Sequence, residues 1–159
     1  MFIVPMTREF ADDIAGWIYE PPYEVYSVAG RDPEFFLDER NGYVALVDNR
    51  ALIGYRSFGP DGRVPGFDYD DRALDTGGGL RPSLTGKGLG REAISTGLAY
   101  GKQRFDPTAF RVTVASFNSR AQRVVTSLDF VHQAQFNAST DGTSYDVFTR
   151  VEARTEPTD

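Results

Sequence analysis

The sequence predicts one α/β domain, a mixed and mostly antiparallel twisted sheet of about seven strands flanked by about four helices. Short alternating or β-branched runs recur along the chain, segments of helical period interrupt them at three points, and Gly, Pro or Asp-Asn pairs mark the joints. A length of 159 residues suits a single domain, and an apolar fraction of 40% can build a core. The domain is assigned to residues 1–153, with a polar tail at 154–159.

The elements follow in order. Phe2–Pro5 reads as a strand. A helix starts near Thr7, a good N-cap, with Phe10, Ile14, Trp17 and Ile18 at helical spacing. Pro21-Pro22 ends it. Asp32-Pro33 opens a second short helix that runs to about Arg40, with proline at its first position. Segments 42–47 and 52–58 flank Asp48-Asn49-Arg50 as a hairpin, and 59–73 is a long loop. Leu74–Leu80 is a strand in spite of Gly77, Gly78 and Gly79, which suggest a bulge or a close approach to the backbone. Segment 89–103 is helical, with Ala93, Ile94, Leu98 and Ala99 near one face. Segment 110–115 is a strand and 119–128 a helix. Segments 130–136 and 145–151 close the sheet around Asp141-Gly142. The order is βααβββαβαββ.

Composition removes several classes of chemistry. There is no cysteine, which leaves no disulfide, thiolate metal site or cysteine nucleophile. A single histidine, His132, gives little basis for a metal centre or a catalytic triad, and no Gly-x-Ser-x-Gly elbow accompanies it. No metal site is expected. A net charge of −6 does not suit nucleic-acid binding and mildly favours cationic partners. No apolar run approaches the roughly 20 residues of a membrane span, and residues 1–5 lack the basic start of a signal peptide. The expectation is a cytoplasmic protein that binds neither membrane nor nucleic acid.

The segment from Arg81 to Arg91 carries the chemistry. It follows a strand, opens a helix, and combines Gly86, Gly88 and Gly90 with Lys87 and Arg91. The first amides of a helix lack intrahelical acceptors, and glycines let backbone approach a phosphate closely. A Walker loop would need Gly at position 81 and Ser or Thr after Lys87, but Arg81 and Gly88 stand there. A dinucleotide fingerprint at Gly88-Leu89-Gly90-Arg91-Glu92-Ala93 lacks the acidic residue that should end the next strand, at Ala115-Ser116-Phe117.

Thr85-Gly86-Lys87-Gly88-Leu89-Gly90, after Leu80-Arg81-Pro82, is similar to the acetyl-CoA loop of the GNAT superfamily of N-acetyltransferases. A second block agrees: Arg111-Val112-Thr113-Val114, then Phe117-Asn118-Ser119-Arg120-Ala121, then Leu128-Asp129-Phe130. The resemblance spans nearly the whole chain. It implies acetyl-CoA as co-substrate, a fourth strand splayed from the fifth, and transfer of acetyl to an amine by direct attack on the thioester. On this resemblance Gly79, Leu80 and Arg81 would meet the pantetheine arm. Gly86, Lys87, Gly88, Leu89, Gly90 and Arg91 would cradle the pyrophosphate. Asn118 would bond near the pantetheine, or cap the following helix. A strand N–H at a bulge within Gly77–Gly79 would polarise the thioester oxygen.

Two positions depart from the family pattern. Thr85 stands where Arg or Gln is usual. Val125 stands where the family carries the tyrosine that protonates the departing thiolate, so Ser127, Tyr145 or water would have to serve. Asp75 is the candidate base, with Glu24 second. Between the first two helices, the segment around Tyr23, Glu24 and Tyr26 interleaves aromatics with carboxylates and would hold a cationic amine. Asp61, Asp68, Asp70 and Asp71 lean the same way. The expected partner is an amine-bearing small molecule or peptide, and a homodimer is allowed. The alternative is an acyl-CoA-binding sensor or interaction module without turnover, which Val125 favours.

Overall fold

The computed structural model describes residues 1–154, so all of the expected tail except Arg154 lies outside the described residues. Seven strands form one sheet in the order β1-β2-β3-β4-β5-β7-β6. They are β1 (Phe2–Pro5), β2 (Tyr43–Asp48), β3 (Ala51–Phe58), β4 (Leu74–Leu80), β5 (Ala109–Ala115), β6 (Val131–Asn137) and β7 (Ser144–Val151). The helices are α1 (Arg8–Ile14), α2 (Pro33–Leu37), α3 (Gly90–Phe105) and α4 (Ser119–Ser127). The predicted order and fold class hold.

Local signals fall where they should. The Thr7 hydroxyl accepts from the Phe10 amide at 3.2 Å and starts α1. Asp32 caps α2, with Pro33 following it. The expected continuation of α1 does not form: the helix ends at Ile14, and Trp17 is buried while Ile18 is exposed. The Trp17 indole donates back to Asp13 at 2.9 Å, so the ring folds over the end of the helix.

The sheet carries helices on both faces. Ala11, Ile14 and Trp17 of the α1 region and Phe36 of α2 pack with Ala45, Leu52 and Tyr55 on one face. On the other, Leu98 of α3 and Val125 of α4 pack with Phe58, Phe110, Val112, Val114 and Phe148. Gly101 lets α3 settle on this face, since a Cβ there would lie 2.6 Å from the Phe58 ring.

One feature of the topology positions everything else. β4 and β5 are the parallel neighbours, and they pair only at Leu74↔Phe110 and Asp75↔Arg111. Beyond that point they part, although β4 runs on to Leu80 and β5 to Ala115. The rest of β4 stays paired to β3 in unbroken register from Phe58↔Thr76 to Gly54↔Leu80. The bulge expected within Gly77–Gly79 is therefore absent from that pairing. The other expected reason, a close approach to the backbone, holds. A Cβ on Gly78 would lie 2.8 Å from Arg56 Nη1, and one on Gly79 would lie 2.7 Å from Tyr19 Oη.

Candidate functional site

The parting strands open a cleft of about 940 Å³. It runs from the glycine loop at the start of α3, through the gap between β4 and β5, to the aromatic segment that joins α1 to α2.

At the loop end, Gly86 and Gly88 take left-handed backbone with φ of 73° and 81°. No side chain caps α3, so its first amides face the cleft mouth with the helix dipole behind them. Nothing lies within 4 Å of where a Gly88 Cβ would project. Three arginines line this end: Arg91, Arg120 and Arg123. Arg120 lies against Gly86, where a Cβ would meet its Nη1 at 2.5 Å, and its guanidinium stacks 4.6 Å from the Tyr23 ring centroid. Amides, dipole and three cations together suit a pyrophosphate. Arg120 and Arg123 escaped the sequence reading, although their spacing places both on one face of α4.

Of the loop residues singled out from sequence, Gly79, Leu80, Gly86, Gly88, Leu89, Gly90 and Arg91 line the cleft, and so does Asn118. Lys87 is exposed and outside the lining. Arg81 corrects the expectation more sharply. Its guanidinium turns to α1, donating to Asp13 at 2.6 Å and to the Leu52 carbonyl at 3.0 Å, and it stacks on Trp17. Its amide is held by the Ile53 carbonyl. It ties β4 to α1 and does not line the cleft.

In the middle of the cleft the two strand edges are bracketed by tyrosines. Tyr19 donates to the Leu80 carbonyl on β4 at 2.6 Å. Tyr26 accepts from the Ala115 amide on β5 at 3.0 Å and from Asn118 Nδ2 at 3.2 Å. Burial raises the pKa of Tyr26, while the bonds from Asn118 and Ala115 pull it the other way. Of the two roles expected of Asn118, the helix cap is seen: its Oδ1 accepts from the Ala121 amide at 3.1 Å at the start of α4, while its Nδ2 is given to Tyr26. Tyr145 lines the same region and is buried, which raises its pKa.

The carboxylates sort themselves differently from the sequence expectation. Asp75 is buried, and both oxygens are engaged: Arg111 donates to them at 2.7 and 2.8 Å, and Arg63 at 2.8 Å. It does not line the cleft. A carboxylate with both oxygens held by two guanidinium groups is a structural anchor. Asp70 and Asp71 bond to the same two arginines. Glu24 is exposed and outside the lining, whereas Glu20 and Asp61 lie on it. Asp61 accepts a hydrogen bond from the Tyr43 hydroxyl and sits 3.7 Å from Arg31. Ser127 is also misplaced for its expected part. Its hydroxyl donates to the Val124 carbonyl at 2.6 Å and faces Arg91 at the loop end.

Arg56 is a further cleft residue that the sequence did not suggest. It is 6% exposed on β3, and desolvation lowers its pKa to about 10. Among the described residues no group of three or more His, Cys, Asp and Glu could hold a metal ion, and no helix is long and apolar enough to cross a membrane.

Comparison with known proteins agrees with this geometry. The family model described as "Acetyltransferase (GNAT) family" matches residues 8–130. No curated protein matches. Solved structures match over nearly the full chain at low identity. Aminoglycoside acetyltransferase AAC(6')-Ib in complex with coenzyme A has a TM-score of 0.73 at 15% identity, covering 95% of this chain and 94% of that one. The structure of yncA from Salmonella typhimurium with its cofactor acetyl-CoA has a TM-score of 0.67 at 20% identity, covering 99% and 96%. A mutant of spermidine N-acetyltransferase SpeG from Vibrio cholerae has a TM-score of 0.68 at 17% identity, covering 95% of each. At these identities the likeness is one of fold.

Proposed function

This chain belongs to the acetyltransferase (GNAT) family, and we propose that it moves an acetyl group from acetyl-CoA to a primary amine of a small molecule or peptide. The parting of β4 and β5 directly behind the glycine loop carries the reading. It joins an anion cradle to a buried strand edge and then to an aromatic, acidic mouth, in one continuous cleft. The cradle fits the pyrophosphate of a CoA thioester, because Gly88 leaves open space where any side chain would project. The β4 and β5 edges beyond Asp75↔Arg111 have backbone groups that no strand neighbour takes up, which suits the amides of a pantetheine arm.

Acetyl-CoA supplies the acyl group as a thioester, and the chain's own residues orient it and move protons. Glu20 and Asp61, the two carboxylates of the lining among the described residues, are placed to accept the amine proton, directly or through water. Tyr26, held at the end of β5 by Ala115 and Asn118, is placed to donate to the departing sulfur. Each proton transfer is worth roughly 10²–10⁴-fold. A cationic amine is the preferred acceptor, since Tyr23, Glu20 and Asp61 combine aromatic faces with negative charge at the mouth. Two of the similar structures are named for acting on spermidine and on aminoglycosides. A cytoplasmic setting is part of the same proposal.

The second reading is an acyl-CoA-binding module without turnover, and Val125, buried where a tyrosine would donate, is the observation favouring it. Calorimetry with CoA and thiol release with a panel of amines separate the two. CoA binding with amine-dependent thiol release supports the enzyme, CoA binding without release with any amine supports the module, and absence of CoA binding removes both. Gly88→Val is expected to weaken CoA binding about tenfold or more. It forces a β-branched residue to positive φ and puts its side chain in the cradle, and unchanged affinity would exclude this loop as the phosphate site.

A further inference from the structure

Two arginines are buried beside the gap between β4 and β5, and their surroundings differ. Arg111 on β5 is saturated by Asp75. Arg56 on β3 has one hydrogen bond among the described residues, from Nη2 to Thr76 Oγ1 at 3.2 Å, and its Nε is buried without a partner. None of the ion pairs among the described residues involves it, and Tyr55 is the titratable neighbour that acts on it. An isolated buried cation is unfavourable for folding, and native chains seldom keep one without a partner.

The surroundings have nevertheless been shaped to hold it. A Cβ on Gly97 of α3 would lie 2.9 Å from Arg56 Nε, and a Cβ on Gly78 of β4 would lie 2.8 Å from Nη1. The guanidinium thus lies between two glycines, on the α3 face of the sheet, and it lines the cleft. The cleft it lines has apolar walls, with Ile94, Val112, Val114 and Val125 all on the lining. Tyr55, one residue before Arg56 on β3, packs instead with Trp17 and Phe36 on the α1 and α2 face. What meets Arg56 therefore arrives from the α3 face, the side of the phosphate loop. A neutral amide oxygen would leave its charge uncompensated. A carboxylate would neutralise it and accept two of its fork donors.

We propose that Arg56 anchors a carboxylate at the end of the acyl chain, so that the cleft takes thioesters of short dicarboxylic acids, such as malonyl- or succinyl-CoA, in addition to acetyl-CoA. This rests on the acyl-transfer reading and specifies the acyl group. The chemistry at the thioester is unchanged. The amine nitrogen bonds to the carbonyl carbon and gives up a proton to Glu20 or Asp61, directly or through water. The C–S bond breaks with its electron pair on sulfur, sulfur takes up a proton, and the distal carboxylate stays paired with Arg56.

The test compares acetyl-, butyryl-, malonyl- and succinyl-CoA with one accepted amine, by thiol release, in wild type, Arg56→Met and Arg56→Lys, with calorimetry on CoA itself. Wild type is expected to favour malonyl- or succinyl-CoA over butyryl-CoA by about tenfold or more in kcat/KM. Arg56→Met should abolish or invert that preference, Arg56→Lys should retain part of it, and CoA affinity should stay the same in all three. Thermal melting guards against misfolding: Arg56→Met should melt no lower than wild type, because an unpaired buried charge is removed. Equal use of charged and neutral chains by wild type overturns the proposal. An equal loss of affinity for CoA and every thioester in Arg56→Met also overturns it and assigns Arg56 to the pantetheine arm. Failure of CoA itself to bind wild type would remove the transfer reading, and this proposal with it.

Discussion

Tyr26→Phe is expected to lower kcat by about 10²-fold or more while leaving CoA affinity nearly unchanged. The geometry of one hydroxyl carries the expectation. A phenol has one proton to give and two acceptor positions. At Tyr26 both acceptor positions are filled, by the Ala115 amide at 3.0 Å and Asn118 Nδ2 at 3.2 Å. Among the described residues no acceptor takes the proton, and the side chain lines the cleft. Burial, the largest influence, holds its pKa above the ordinary value, so the phenol stays protonated at neutral pH and can act as an acid. Val125 offers no proton, and Ser127 has given its own to Val124. A structural role would also show some loss, since removing the hydroxyl leaves the Ala115 amide unpaired, worth about 1–3 kcal/mol of stability. The decisive readout is the leaving group. A donor acid matters less when the thiol is itself acidic, so Tyr26→Phe should lose much less rate with an aryl thioester than with acetyl-CoA. Equal losses with both would return Tyr26 to the packing and substrate-contact role suggested by its position between two helices. Tyr145 would then be the next residue to test, as it is buried in the same region of the lining.

Asp75→Ala is expected to destabilise the fold by about 3–5 kcal/mol, because it takes from the buried Arg111 its buried carboxylate and leaves Nε without an acceptor, the longer contact to Asp70 being the only carboxylate that remains. For a chain of this length that corresponds to a fall in Tm on the order of 10 °C. Arg111 is buried and directs Nε and Nη2 to the two Asp75 oxygens, while Arg63 adds a third bond. Both guanidinium groups also face the Tyr69 ring, at 4.9 and 5.5 Å from its centroid. The cluster sits where β4 and β5 last pair, so it fastens the base of the gap that forms the cleft. Asp75→Asn keeps the shape and one acceptor, and should lose less stability while retaining transfer in the folded fraction. Urea unfolding and thiol release on the same samples check this. If Asp75→Asn melted like wild type and released no thiol, Asp75 would be the base that its place before the glycines suggested.

Much of the fold was legible because its signals are local. Thr7 and Asp32 start helices by bonding amides two or three residues ahead, and the alternating, β-branched run in 110–115 is set by neighbouring residues on one strand. The glycine loop was legible for the same reason: positive φ at Gly86 and Gly88, and an uncapped helix start, are properties of consecutive residues. Trp17 shows where locality fails. It keeps the helical spacing of α1, yet the helix ends at Ile14 and the indole folds back to Asp13.

The candidate site divides along the same line. Sequence alone determined the element order, the α/β class, the glycine loop before α3 and Asn118 at the start of α4, since each is written within a few residues and repeats a short-range pattern. Only the tertiary structure decided which charged groups remain available. Asp75 looked like a base until Arg63 and Arg111 arrived from other segments, and Arg81 looked like a cofactor contact until Asp13 of α1 claimed it. The glycines of β4 suggested a bulge or a close approach, and the structure decided for close approach, by Arg56 and Tyr19 from β3 and from the segment after α1. Burial and ion pairing depend on residues far apart in the chain, so no local pattern can carry them.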